Sequence, residues 1–80
     1  MYTVYVLQSL KDGRTYVGFT DNFERRFIQH NSGLVKSTKN RIPLKQIFIE
    51  IVDNSRDARI RELYWKSGAG RRRLKGYFKK

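Results

Sequence analysis

Five side chains in this sequence are of types that could cleave a phosphodiester if they were held together: Tyr5, Tyr16, Arg26, His30 and Glu62. A phenol can handle an attacking water as a general base once nearby cations or a metal lower its pKa from about 10. An arginine fork matches phosphate oxygens, and a single carboxylate can hold a Mg²⁺ that keeps its waters. The tyrosines lie in two short segments, Thr3-Val4-Tyr5 and Tyr16-Val17-Gly18. Arg26 follows Tyr16 by ten residues, His30 comes one helical turn later, and Glu62 stands far downstream. Each residue also has an ordinary structural reading. Tyrosine suits a half-buried sheet, a histidine on a helix edge is commonly a hydrogen-bonded structural group, and Glu62 could simply pair with Lys66. Only the ordered set points to chemistry.

The elements that must position these groups can be read from patterning. Tyr2 to Gln8 and Thr15 to Gly18 are rich in β-branched and aromatic residues, and the Asp12-Gly13 pair between them favours a tight turn. With an even loop, Tyr5 and Leu7 share a face with Tyr16 and Gly18, while Val4, Val6 and Val17 face a core. Gly18 inside a strand marks a close approach. A helix follows, expected to be capped by Asp21 with Glu24 three residues on, and stopped at Gly33. On it Phe23 and Phe27 form an apolar stripe with Arg26 and His30 along one edge, and Arg25 is a solvated cation.

Leu34 to Arg41 reads as a basic loop or single helical turn. After Pro43, the run Ile47 to Val52 is apolar on both faces, as for a central strand covered on each side. A second helix begins at Asn54 or Ser55 and reaches about Ser67. Ile60, Leu63, Tyr64 and Ser67 form its expected inward stripe, and Glu62 lies off centre, flanked by Ala58 and Trp65. Gly68 and Gly70 interrupt, and a basic helix follows with Leu74, Tyr77 and Phe78 as its apolar seam.

Composition bounds the rest. Eighty residues with 39% hydrophobic and 14% aromatic content suit one small domain over residues 1–80. The chain has no cysteine, which excludes a disulfide framework and a cysteine-ligated zinc. Eighteen Lys+Arg against seven Asp+Glu give a net charge of +11, and the natural partner is a polyanion. Lys36, Lys39 and Arg41 form one basic set. Arg71, Arg72, Arg73, Lys75, Lys79 and Lys80 form another, suited to phosphate-backbone contacts without base reading. Strand-like alternation from Tyr2 leaves no room for a signal peptide, and no run suits a membrane span, so a cytoplasmic protein without a membrane partner is expected.

As a joint pattern over essentially the whole chain, these motifs resemble the GIY-YIG nuclease family, in particular its small stand-alone members related to the nuclease domain found in excision repair. Thr3-Val4-Tyr5 fills the first motif, with Thr3 where glycine is usual, and Tyr16-Val17-Gly18 fills the second. Arg26, His30 and the Ala58-to-Glu62 stretch fall at the family's spacing, and "HNSG" (His30 to Gly33) and "YWKSGAGRR" (Tyr64 to Arg72) extend the likeness. Phe19 and Thr20 stand where some members carry a lysine. The resemblance implies an α+β fold with a three-stranded antiparallel or mixed sheet flanked by helices, in the order β-β-α-(short α or loop)-β-α-α. It also implies a DNA endonuclease using one divalent cation, Mg²⁺ or Mn²⁺, held by Glu62, with Arg26 on the phosphate and Tyr5 or Tyr16 assisting the water. Family nucleases gain specificity from an appended domain, which here leaves room for a protein partner; the oligomeric state stays open. Two other readings fit the charge: a nucleic-acid-binding module with this fold and little cleavage, and an accessory protein of a basic RNA assembly. The nuclease reading alone requires Tyr5, Tyr16, Arg26, His30 and Glu62 to meet in one concave patch.

Overall fold

The computed structural model describes residues 1–78, with side chains described through Gly76. The side chains of Tyr77 and Phe78, two members of the expected seam, and all of Lys79 and Lys80 lie outside that description. The elements are β1 (Tyr2–Ser9), β2 (Thr15–Thr20), α1 (Phe23–Asn31), β3 (Leu44–Val52), α2 (Ser55–Lys66) and α3 (Gly68–Phe78). The strands form one antiparallel sheet in the order β2-β1-β3.

The hairpin register pairs Tyr5 with Gly18, Val6 with Val17 and Leu7 with Tyr16, so the expected parity holds. One face of the sheet carries Tyr5, Leu7, Leu44 and Tyr16 and packs against Phe23 and Phe27 of α1. The other carries Val4, Val6 and Val17, with Ala58 and Trp65 of α2 and Leu74 of α3 over it. Covered on both faces, Val4 to Leu7 are all buried. The central strand is therefore β1. The expectation that Ile47 to Val52 forms the central strand is corrected: β3 is an edge strand, and Ile51 on its uncovered face is 55% exposed. A bulge opposite Val6 and Leu7 inserts Ile47 as an extra residue, turning both Ile47 and Phe48 toward the α2 side and Leu44 toward the α1 side. The apolar residues on the other side of this run, Ile49 and Ile51, are exposed on the uncovered face.

Helix starts follow side-chain chemistry. α1 is capped by Asn22, whose side chain accepts from the Arg25 N–H at 3.0 Å. Asp21, the expected cap, instead pairs with the Arg25 side chain at 3.2 Å. At the other end Gly33 N–H donates to His30 C=O and Leu34 N–H to Gln29 C=O, closing the helix through Gly33 at φ 78°. α2 is capped by Asn54, as expected. Its inward stripe is Ala58, Glu62 and Trp65; of the expected stripe only Tyr64 packs against the core, whereas Ile60, Leu63 and Ser67 are exposed. Hydrogen bonding sets this choice. Trp65 Nε1–H donates to Glu50 Oε1 at 2.9 Å, and Arg61 grips the same β3 carboxylate through two bonds of 2.9 and 2.8 Å. With Trp65 anchored to β3, the helix is rolled so that Glu62 lies inward.

Gly68 and Gly70 do not interrupt the helices as expected but begin α3, and its close crossing over the end of α2 depends on Gly70. A Cβ there would stand 2.6 Å from Trp65 Cα and collide with the Tyr64 carbonyl, both backbone groups that cannot swing aside. At Gly68 an added Cβ would make ordinary contact, 3.6 Å from the end of Arg72. Gly70→Ala is therefore expected to cost about 2 kcal/mol or more in denaturant unfolding, and Gly68→Ala far less. Equal losses would show that the close crossing is not what holds the helices.

Candidate active site

Tyr5 reaches across β2 at the one position without a side chain. A Cβ on Gly18 would lie 2.6 Å from the Tyr5 hydroxyl and 2.8 Å from its Cζ. The phenol is 1% exposed and must find a partner in the interior. It finds His30 Nε2 at 3.0 Å, and His30 Nδ1 in turn meets Thr38 Oγ1 at 2.8 Å. His30 and Thr38 are both fully buried. His30 is thus an interior group linking β1, α1 and the turn that follows, not a polar residue at the border of a buried face.

Rings complete this cluster. Tyr16 stands edge-on to His30 with centroids 5.0 Å apart, and Tyr5 lies 5.4 Å from Phe23. Burial pushes the His30 pKa down to about 4, with the positive charge of Arg26 adding to the effect, so the imidazole is neutral at pH 7. One ring nitrogen then accepts while the other donates. Burial also raises the Tyr5 pKa above its ordinary value, and the adjacent Arg26 guanidinium opposes that shift. Tyr5 consequently keeps its proton. Arg26 is half-buried, with Nη1 donating to Gln29 Oε1 at 3.2 Å.

Glu62 approaches from the other side. α2 packs on the Val4 and Val17 face, so the carboxylate does not share a sheet face with the tyrosines. The two faces meet at the outer edge of β2. A groove of about 250 Å³ is lined there by Thr15, Tyr16, Val17, Trp65, Lys66 and Arg71. Lys66 in that groove holds Glu62 Oε2 at 3.1 Å, and Arg59 holds Oε1 at 3.1 Å. The Glu62 charge is near enough to contribute to raising the Tyr5 pKa. The structure thus gathers Tyr5, Tyr16, Arg26 and His30 on one face and sets Glu62 around the strand edge from them; the expectation that all five meet in one concave patch is corrected, because α2 packs on the opposite sheet face and Tyr5 and His30 are buried.

Among the described residues no three or more His, Cys, Asp or Glu side chains form a ready-made metal cage. Glu62 alone still suits a cation that takes one carboxylate and fills its other positions with water and substrate phosphate. It is 8% exposed, and its Arg59 and Lys66 partners are exposed side chains. The expected cationic sets are divided by their contacts. Lys36, Lys39, Arg71 and Arg72 are exposed. Arg41 is tied down, 3.5 Å from Asp12 and donating to the Thr15 carbonyl at 3.3 Å, and Arg73 leans over the Trp65 ring at 5.8 Å. Sequence reasoning missed Thr38, which no spacing rule connects to His30, and it missed Arg59 as a partner of Glu62, although the i, i+3 spacing could have suggested it.

The family model described as the GIY-YIG catalytic domain matches residues 1–79. The chain is 42% identical over 67 residues to a UPF0213 protein of Clostridium perfringens, covering 82% of this chain and 71% of that protein. It is 34% identical over 73 residues to a UPF0213 protein of Staphylococcus saprophyticus, covering 90% and 88%. The solution NMR structure of a UPF0213 protein from Bacillus halodurans is similar at a TM-score of 0.57 and 30% identity, covering 95% of this chain and 84% of that one.

The buried neutral His30 has a consequence for stability. Its folded pKa of about 4 lies below its unfolded value of about 6.5, so the unfolded state binds more protons between those limits. Its contribution is complete above pH 6.5 and is lost as pH falls toward 4. Unfolding free energy is expected to drop by about 2 kcal/mol between pH 7.5 and pH 5, and His30→Gln should flatten that slope. An unchanged slope in the variant would mean that His30 titrates normally.

Proposed function

We propose that this chain, which belongs to the GIY-YIG catalytic-domain family of nucleases, is a divalent-metal-dependent DNA endonuclease working as a single domain over residues 1–80. The observation that carries the reading is the groove at the β2 edge, where Tyr16 and the Lys66 partner of Glu62 line one space. Hydrolysis joins a water oxygen to phosphorus and breaks the bond to the leaving oxygen; the water gives up one proton and the leaving oxygen gains one.

Tyr16, the half-exposed phenol lining the groove, orients the attacking water. Tyr5, which keeps its proton, and His30 with Thr38 behind it hold the ring cluster that supports Tyr16. Arg26 stabilises the negative charge that grows on the phosphoryl oxygens. Glu62 would hold the cation, Mg²⁺ or Mn²⁺. When bound, that cation supplies Lewis-acid stabilisation of the phosphate and favours ionisation of water. Lys36, Lys39, Arg71 and Arg72 supply backbone attraction.

A second reading rests on one specific contact pattern. Both oxygens of Glu62 already have cationic partners, Arg59 and Lys66, which compensates the carboxylate without a metal. On that basis the same fold would serve as a nucleic-acid-binding module with little cleavage.

The two readings separate on labelled duplex, branched, damaged and single-stranded DNAs incubated with Mg²⁺ or Mn²⁺, with EDTA as control. For the nuclease, Glu62→Gln is expected to abolish cleavage while metal-free DNA affinity holds or rises slightly, since a like charge is removed. Arg26→Ala should slow cleavage about a hundredfold, the size of effect seen when one oxyanion donor is removed. Binding by the wild type that ignores metal, with no cleavage of any substrate, would favour the binding module.

A further inference from the structure

A second and larger depression adjoins the candidate active site. It measures about 580 Å³ and lies between the β1–β2 turn and α3, with Leu74 as its buried floor. Four cations line it: Arg14, Arg41, Arg71 and Lys75. Arg71 and Lys75 are one turn apart on α3, so both point the same way from that helix. Among the described residues, Asp12 is the one carboxylate paired with any of the four, and it is held by Arg41 and by the Arg14 N–H. Arg41 is fixed through the Thr15 carbonyl and by the Asp12 carboxylate 3.5 Å from its Nε. The lining thus holds four cations against the single paired carboxylate of Asp12, in a volume that suits a ligand of nucleotide size.

This cleft shares Thr15 and Arg71 with the groove at Tyr16, so the two form one trench along the outer edge of β2. We propose that the cleft between the β1–β2 turn and α3 receives a backbone phosphate of the bound nucleic-acid strand, away from the scissile position. The assignment rests on the nuclease reading only in taking a nucleic acid as the ligand. A strand with its scissile phosphate beside Tyr16 would pass Lys66 and Arg71 and place a flanking phosphate among Arg14, Arg41, Arg71 and Lys75. Arg14 and Lys75 are exposed and belong to neither the ring cluster nor the Glu62 pair, so they can be changed without touching the candidate active site.

Affinity is best read on the full chain in EDTA, by fluorescence anisotropy with a labelled DNA duplex, for a variant carrying Arg14→Ala and Lys75→Ala. A control carrying Lys45→Ala and Arg56→Ala makes the same charge change at exposed positions on β3 and α2. The cleft variant is expected to lose about tenfold or more in affinity, and its log–log salt slope should become shallower by about 0.9 for a lost phosphate contact. The control should change less than twofold with an unaltered slope. Equal losses in the two variants would overturn the proposal, since net charge alone would then account for binding. In a parallel amide NMR titration, Gly13 and Thr15 should shift with the DNA and not with the same concentration of inorganic phosphate. Equal shifts with inorganic phosphate would overturn the strand assignment and make this a free-phosphate site. Binding read in EDTA is independent of cleavage. If wild type cleaves and the cleft variant binds normally, this proposal fails alone; if the cleft binds DNA and nothing is cleaved, the nuclease reading fails alone.

Discussion

The Tyr5 hydroxyl, buried over Gly18 and bonded to His30, is the constraint from which the local architecture follows. A phenol with no access to water requires a partner, and a neutral imidazole is the one within reach. That bond sets where α1 lies on the sheet, and the other imidazole nitrogen fixes the turn through Thr38. Gly18 is the condition for the arrangement, because any side chain there would displace the ring. Tyr16, edge-on to His30 and tilted against Tyr5, inherits its position from the same cluster. A chain of buried polar contacts of this kind tolerates few substitutions, since each unpaired member would cost a full desolvation penalty.

The opposite face is held by a different device. Glu50 on β3 receives Arg61 and Trp65 of α2, and its pKa is lowered chiefly by the Arg61 hydrogen bonds. This lock decides the roll of α2 and turns Glu62 inward at the strand edge. Two independently fixed helices, one on each face, therefore present their polar groups around a single exposed strand edge. The proposed chemistry needs no deep pocket. It needs β2 to be an edge strand, and the sheet order β2-β1-β3 leaves it as one.

Much of this was legible from residue type and spacing. The hairpin and its face parity followed from the Asp12-Gly13 turn and strict alternation, and the ends of α2 followed from Asn54 and Gly68. The Asp21 cap failed by one residue, because Asn22 carries the same type of acceptor and the Asp21 carboxylate is taken by Arg25. The central-strand assignment failed because β3 carries exposed isoleucines, Ile49 and Ile51, on its uncovered face and a bulge that turns both Ile47 and Phe48 inward, whereas the true centre, β1, hides a tyrosine that reads as half-exposed. The faces of α2 were misjudged because Glu62 counts as polar in any periodicity argument, yet it lies between Ala58 and Trp65 with its charge compensated by Arg59 and Lys66. Long-range polar contacts such as His30 to Thr38 leave no periodic trace at all.

The central claim is that Glu62 and the tyrosine–arginine cluster serve one phosphate around the β2 edge. Paramagnetic broadening by Mn²⁺ in NMR spectra of the full chain, bound to an uncleavable DNA, measures this most directly. Broadening centred on Glu62 and extending to Tyr16 and Arg26, abolished in Glu62→Gln, is the expected result. Broadening centred on Asp53, Asp57 or another acid, or confined to α2 without reaching Tyr16, would contradict it.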